Sequence, residues 1–335
     1  MTDGNSGEIE RSFPMITYQD VLDAQKRIAP YVLRTPLLRI PVLDGLLGGC
    51  EVYVKSEGLQ YTGSFKLRGA TNCLLALSDE QKRRGVVCAS SGNHAQGVAC
   101  AAQRLGIDAV IVMPENVNPV KLAGVKSFGG KALFCGTRSS ERDAKVAELV
   151  REEGRTEVHP FANDFVRAGQ GTLGLEILED QPLMDAVVLP IGGGGLISGV
   201  ATAVEAVRPS IRVIGVEPEG ASRYRRSRRE GRPVRLEQVD TIADGTRTDR
   251  ADPVNFEMIE RLVPELAAAS DDAIRLAMKI YVSKAKIVAE PSSSLGLAAA
   301  LEGRISFAKG EKVCFVVSGA NNDLNLLAEV IQESK

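Results

Sequence analysis

Tryptophan is absent from this chain and aromatic residues make up only 4% of it, whereas glycine occurs 33 times among plentiful small aliphatics. That balance suits layered α/β packing with tight turns better than a β-sandwich. Histidine is nearly absent too. His94 lies inside a helix start and His159 precedes a proline with no acidic or cysteine partner beside it, which leaves little basis for a Ser-His-Asp triad or a zinc site. The six cysteines (Cys50, Cys73, Cys88, Cys100, Cys135 and Cys314) lack CxxC spacing and read as reduced, buried small hydrophobes. No apolar run approaches the ~20 residues that span a bilayer, and the polar start "MTDGNSGEIERS" has neither a basic n-region nor an apolar h-region. A formal net charge of −2 argues against a broad surface for nucleic acid or membrane. Seven arginines do crowd into "SRYRRSRREGRPVR", residues 222–235. Tyr224 is the one aromatic among them, so a solvated loop and helix is the stronger reading. The expectation is a soluble, cytoplasmic enzyme.

What is present is a repeated rhythm. A chain of 335 residues, 44% hydrophobic, can bury a large core as one intertwined two-domain unit or as two domains. Residues 1 to 14 read as disordered, and "YQDVLDAQKRIAPYV" then reads as an amphipathic helix. After it the runs "EVYVK", "GVVCAS", "DAVIVM", "KALFCG", "DAVVLPI", "RVIGVE" and "KVCFVV" read as strands, each followed by a loop and usually a helix. This predicts parallel sheets with right-handed crossovers, whose ligands gather at the carboxyl ends of strands.

Four places at such junctions carry chemistry. In "GSFKLRGA", Lys66 falls in the first turn of a helix, where the macrodipole disfavours an ammonium and pushes its pKa down. A neutral amine attacks carbonyls, so Lys66 is a candidate to hold an aldehyde by a Schiff base. In "AVVLPIGGGGLISGV" a buried strand runs into Gly192, Gly193, Gly194 and Gly195 and then a helix, a cradle of N–H groups for phosphate. A Walker A loop is excluded because no Lys follows. The dinucleotide fingerprint lacks its third Gly, although Glu217 closes the next strand about where a ribose-binding acid would sit. Ser90, Ser91, Gly92 and Asn93 form a second loop suited to a carboxylate, and Ser318 ends the last buried strand with a hydroxyl that can meet a ring nitrogen. Pyridoxal 5'-phosphate explains all four jointly.

The order of these segments resembles the fold-type II pyridoxal-phosphate enzymes, specifically the serine/threonine dehydratase and serine racemase group. The resemblance rests on "TPL" (35–37), "TGSFKLRGA" (62–70), "SSGNHAQGVA" (90–99), "HPF" (159–161), "AGQGT" (168–172), "GGGGL" (192–196), "GVEPEGA" (215–221), "IADG" (242–245), "AEPSSS" (289–294) and "SGANND" (318–323). It implies a tryptophan synthase β-like α/β fold. A large cofactor-binding domain would come from residues 1–79 and 163–335, and a small mobile domain from 80–162. By the same resemblance Lys66 carries the cofactor and acts as base, Asn93 meets the ring hydroxyl, Gly192 to Leu196 hold the phosphate, and Ser318 meets the pyridine nitrogen. Ser90, Ser91, Gly92, Asn93 and His94 grip the carboxylate of a small amino-acid substrate. The implied reaction is dehydration and deamination of a β-hydroxy amino acid such as L-threonine or L-serine. Alternatives are serine or aspartate-type racemisation, 3-hydroxyaspartate dehydration, and a non-catalytic binding protein on the same fold, against which the intact Lys66 weighs.

Several positions refine the resemblance. Ser91 matches racemases, where a hydroxyl on the face opposite Lys66 could return a proton. Glu217 matches one acid of the racemases' cation site, but Arg223 replaces the second, so no metal is expected. Arg142 and Arg247 could face the β-substituent. The chain is expected to form a homodimer or homotetramer, and the short stretch after Ser318 to leave no room for a C-terminal regulatory domain.

Overall fold

The computed structural model describes residues 15–117 and 119–333, so the disorder expected for residues 1–14 lies outside the described residues. Ten strands form two sheets among these residues. In chain order they are β1 (Leu37–Arg39), β2 (Glu51–Ser56), β3 (Val86–Ala89), β4 (Ala109–Met113), β5 (Lys131–Phe134), β6 (Thr156–Glu157), β7 (Ala186–Pro190), β8 (Arg212–Pro218), β9 (Glu265–Ala269) and β10 (Lys312–Val317). The larger sheet has the order β1-β2-β10-β7-β8-β9 and the smaller β5-β4-β3-β6. All pairings are parallel except β1 with β2. The seven expected strands are present, and β1, β6 and β9 come in addition to them. β1 and β6 are three and two residues long, too short for a period to show. β9 reads "ELAAA", and alanine has poor intrinsic strand preference, so its pairing with β8 comes from packing.

Alternate residues of a strand face opposite sides, and here both sides are covered. On β10, Val313 and Phe315 join a core with Ile274, Ala277 and Leu297 of the helices Asp271–Ile280 and Leu295–Leu301. Cys314 and Val316 face the other way, against Leu173, Ile177, Ile197 and Val200 of the helices Asp164–Asp180 and Gly195–Val207. The small sheet repeats the device: Cys88 packs with Val98 of the helix Asn93–Leu105, and Val87 with Val146 and Leu149 of the helix Ser139–Glu153. All six cysteines are free and five are buried.

The small sheet lies within residues 86–157, but its apolar core reaches further. Leu67, Ala70, Cys73 and Leu74, from the helix Lys66–Leu75, belong to it, as does Val166. Lys66 therefore starts a helix on the seam between the two sheets. Further along that helix, Arg68 is fully buried and binds Glu57 at 2.8 Å and Glu176 at 2.6 Å, with Lys55 also on Glu176 at 2.6 Å. Two cations against two carboxylates leave this buried cluster neutral, and it pins the seam helix to the large sheet. Among the described residues no helix is long and apolar enough to cross a membrane.

Candidate active site

The carboxyl ends of β3, β7 and β10 open onto one cavity of about 1420 Å³, lined among others by Lys66, Ser91, Asn93, Gly193, Glu290 and Ser318. That volume holds more than one small molecule. The four junctions singled out in the sequence thus converge.

The glycine loop is held from behind. Arg223 donates to the carbonyls of Ile191 and Gly192, while the Tyr224 hydroxyl and the Asn255 side-chain amide each reach the carbonyl of Gly193 at 2.8 Å. In a planar trans peptide the N–H points opposite to the C=O, so tying back these carbonyls turns the N–H groups of Gly192, Gly193 and Gly194 the other way. The helix Gly195–Val207 follows and adds its positive end. Gly194 has φ +90°, and a Cβ there would stand 2.7 Å from the Tyr224 hydroxyl. At Gly193 a Cβ would meet the Phe161 ring at 2.0 Å. No larger residue fits either position.

Lys66 is the first residue of its helix, and its Nζ donates to the Pro160 carbonyl at 2.9 Å. Burial lowers its pKa to about 8, while the nearby Glu290 acts to raise it. The direction matches the sequence expectation; desolvation is the main cause. His159 shapes the acceptor segment: its Nδ1 accepts from the N–H groups of Phe161 and Ala162, fixing the turn that presents Pro160. Burial pushes its pKa down to about 4, so the ring is neutral and free to accept.

The serine loop is held more lightly. Ser90 Oγ accepts from the N–H of Gly92 at 3.3 Å, and Ser91 faces the cavity. The helix Asn93–Leu105 begins there, which leaves the first-turn N–H groups without intrahelical acceptors. The His94 side chain makes a structural hydrogen bond. It is 3% exposed, Nε2 lies 2.7 Å from the Val158 carbonyl, and burial lowers its pKa to about 3. A neutral ring donating to a carbonyl leaves the backbone N–H as what His94 offers an anion. Asn93 donates through Nδ2 to Glu290 and accepts at Oδ1 from Asn321, both at 2.8 Å.

Ser318 directly follows β10 and lines the cavity, with its Oγ 3.0 Å from that of the buried Ser293, a pair of neutral hydroxyls. Arg142 and Arg247 both line the cavity; Arg142 donates to the Thr137 carbonyl and Arg247 to that of Thr241. Glu217 and Arg223 are fully buried, 3.9 Å apart. The guanidinium also donates to the carbonyls of Ala221 and Thr246, so it fills a cage of oxygens. Burial pushes the Glu217 carboxyl up and the Arg223 guanidinium down, and each counters the shift of the other.

A family model described as pyridoxal-phosphate dependent enzyme matches residues 28–319. The chain belongs to that family. It is 42% identical to the L-threonine ammonia-lyase of Thermotoga maritima over 95% of this chain and 79% of that protein. It is also 42% identical to a catabolic L-threonine dehydratase of Staphylococcus aureus strain N315, over 95% and 92%. Among solved structures it is similar to maize serine racemase (40% identity, TM-score 0.90, covering 94% of this chain and 97% of that one). The processed form of threonine deaminase isoform 2 from Solanum lycopersicum is alike at 36% identity and TM-score 0.87, covering 93% and 92%. The cofactor of this fold-type II enzyme is pyridoxal phosphate, and the residues present fit it. A cradle that a Cβ would fill suits a phosphate, and an amine held below its ordinary pKa suits an aldehyde. Glu290, Asn255 and Phe161 also belong to the site but carry no local signal in the sequence: nothing around a Glu before a Pro, as in "AEPSSS", marks it as buried.

Proposed function

We propose that this enzyme converts a β-hydroxy amino acid, L-threonine or L-serine, into the 2-oxo acid and ammonium, water being lost from the β-carbon and regained when the nitrogen is released. The observation that carries this reading is Lys66, an amine with a pKa of about 8 in the same cavity as the glycine cradle. The names of the similar dehydratases support it. When bound, the cofactor supplies an electron-withdrawing ring that acidifies the α-C–H of an amino acid joined to it. Lys66 Nζ holds the aldehyde between turnovers and, once freed, takes the proton from the α-carbon. The N–H groups of Gly192, Gly193, Gly194, Gly195 and Leu196 hold the phosphate, and Asn93 the ring hydroxyl. The Ser90–His94 turn orients the substrate carboxylate through its N–H groups and hydroxyls. Ser318 meets the ring nitrogen with a neutral hydroxyl, which does not hold that nitrogen protonated as a carboxylate would. Loss of the β-hydroxyl then competes well against return of the proton.

Racemisation is a second reading, favoured by Ser91 in the same cavity and by the likeness to maize serine racemase. Purified protein given L-serine, L-threonine and 3-hydroxyaspartate, scored for 2-oxo acid and D-enantiomer, separates the two. The expected result is 2-oxo acid as main product, with Lys66→Ala inactive and borohydride fixing the cofactor on Lys66. Full elimination activity in Lys66→Ala, or D-serine formed faster than pyruvate, overturns it.

A further inference from the structure

Glu290 is the buried titratable group at the cavity to which the mechanism above gives no task. It is 3% exposed and joins three segments. Oε1 accepts from Asn93 Nδ2 at 2.8 Å, and Oε2 accepts from the backbone N–H of Asn321 at 3.1 Å. Its own N–H donates to the Gly319 carbonyl at 3.1 Å. The third side of the triangle is Asn321, whose Nδ2 donates both to the Thr62 carbonyl at 2.9 Å and to Asn93 Oδ1.

These partners determine which way each amide faces. The Thr62 carbonyl can only accept, so Asn321 must turn its nitrogen toward it, and the same nitrogen then requires the oxygen of Asn93. The Asn93 nitrogen is left facing Oε1 of Glu290 while the Asn321 N–H faces Oε2, and a carboxylate is the form that accepts at both oxygens. One N–H of Asn93 is used in this way, and the other remains for an acceptor in the cavity. We propose that Glu290 is a positioning residue: as a carboxylate it locks the Asn93 amide with an N–H aimed at the ring oxygen of the cofactor, and on protonation it releases that lock. The proposal rests on the assignment of Asn93 under the function above. A neutral carboxyl has one O–H: on Oε1 it faces the Asn93 N–H and on Oε2 the N–H of Asn321, donor against donor, so only the carboxylate accepts at both positions. Protonation therefore breaks one side of the triangle, whichever oxygen takes the proton.

The charge around Glu290 puts this change near neutrality. Burial raises its pKa to about 7. Asp244, on the turn Asp244–Thr246, adds to the rise, while Lys121, on the helix Pro119–Ser127 and paired with Asp244, acts to lower it. Lys66 faces it from the seam helix. A raised carboxyl pKa means that the acceptor is complete above pH 7 and is lost as pH falls through that value.

The visible absorbance of the holoenzyme, titrated from acid to mildly alkaline pH, tests this without turnover. Wild type is expected to show a transition with its midpoint near pH 7. Glu290→Gln, which cannot accept at both positions, should lack that transition and release cofactor about tenfold more readily, the worth of one hydrogen bond to a charged group. Asn93→Ala should also lack it although Glu290 is intact, a result that a merely structural Glu290 would not produce and that stays accessible should Glu290→Gln fail to fold. A wild type without a transition near pH 7, or a transition that persists in either variant, overturns the proposal. A wild type that carries no visible cofactor band overturns the cofactor assignments themselves, and the proposal with them.

Discussion

The two anion-sized loops of the site are built in opposite ways. Behind the glycine loop at the end of β7, Arg223 grips the carbonyls of Ile191 and Gly192, Tyr224 and Asn255 together grip that of Gly193, and Phe161 closes over Gly193. At the end of β3 the serine turn is held by its own Ser90–Gly92 hydrogen bond and is anchored one residue on, where Asn93 meets Glu290 and Asn321. A site that keeps one ligand through many turnovers and exchanges another at each one needs this difference. Fixed donors lose nothing to ordering when their ligand binds, and a yielding loop lets a substrate enter and leave.

The sharpest way to break the comparison is to spoil the rigid loop. Gly194→Asp adds a Cβ at φ +90°, 2.7 Å from the Tyr224 hydroxyl, and a carboxylate among groups arranged for phosphate. Backbone strain of about 1–3 kcal/mol and like-charge repulsion together should weaken cofactor binding by roughly 100-fold or more. Fluorescence titration of apoprotein with pyridoxal phosphate reads this, and an unchanged dissociation constant would mean that the phosphate binds elsewhere.

The support behind the loop is the next target. Arg223→Met removes the donor to four carbonyls and leaves Glu217 buried with the N–H groups of Tyr224 and Arg225 as its partners. Breaking a buried pair in this way should cost about 3–5 kcal/mol, read by urea unfolding. Because the guanidinium already occupies the oxygen cage, chelator should leave wild-type activity intact. Strong inactivation that magnesium or calcium reverses would show that a cation is needed after all.

These two targets also mark the limit of what the sequence could disclose. The front of the glycine loop was legible because four glycines between a β-branched run and a helix have few other uses. Its backing was not. Arg223, Tyr224 and Asn255 lie 31 to 62 residues from the carbonyls they hold, and on paper Arg223 and Tyr224 belong to a solvated basic block. In fact both are fully buried. The same holds for strands. Runs such as "AVVLP" in β7, buried at every position, announce themselves, whereas the alanines of β9 become a strand through their neighbours. His94 stood out as a rare residue type, but burial turned its ring to Val158.

Between the two loops, Lys66 should report its own environment. With a pKa near 8 and burial as the cause, the amine is protonated and unreactive below that value and free above it. The rate at which apoprotein captures pyridoxal phosphate should therefore rise about tenfold per pH unit below 8 and level off above it. Stopped-flow absorbance across that range checks the sign. A rate that climbs without a break toward about pH 10, the ordinary range of a lysine, would mean that burial does not lower the amine's pKa in solution.

The smallest expected change in elimination comes from the yielding loop, at Ser91. Taking the α-proton and losing the β-hydroxyl require Lys66 and a leaving group on one face. Formation of the D-enantiomer requires in addition a proton returned from the opposite face, and Ser91 is the hydroxyl proposed for that task. Ser91→Ala should therefore shift the ratio of D-serine to pyruvate downward by about 100-fold or more, the lower end of what one positioned proton donor contributes. The 2-oxo acid rate itself should change far less, since the loop's N–H groups remain. The same substitution should leave cofactor affinity as it was, in contrast to Gly194→Asp, because the glycine loop is untouched. Chiral chromatography beside a coupled 2-oxo acid assay reads the ratio. If D-serine persists at the wild-type ratio, Ser91 returns no proton and the likeness to racemases at this position is one of packing alone.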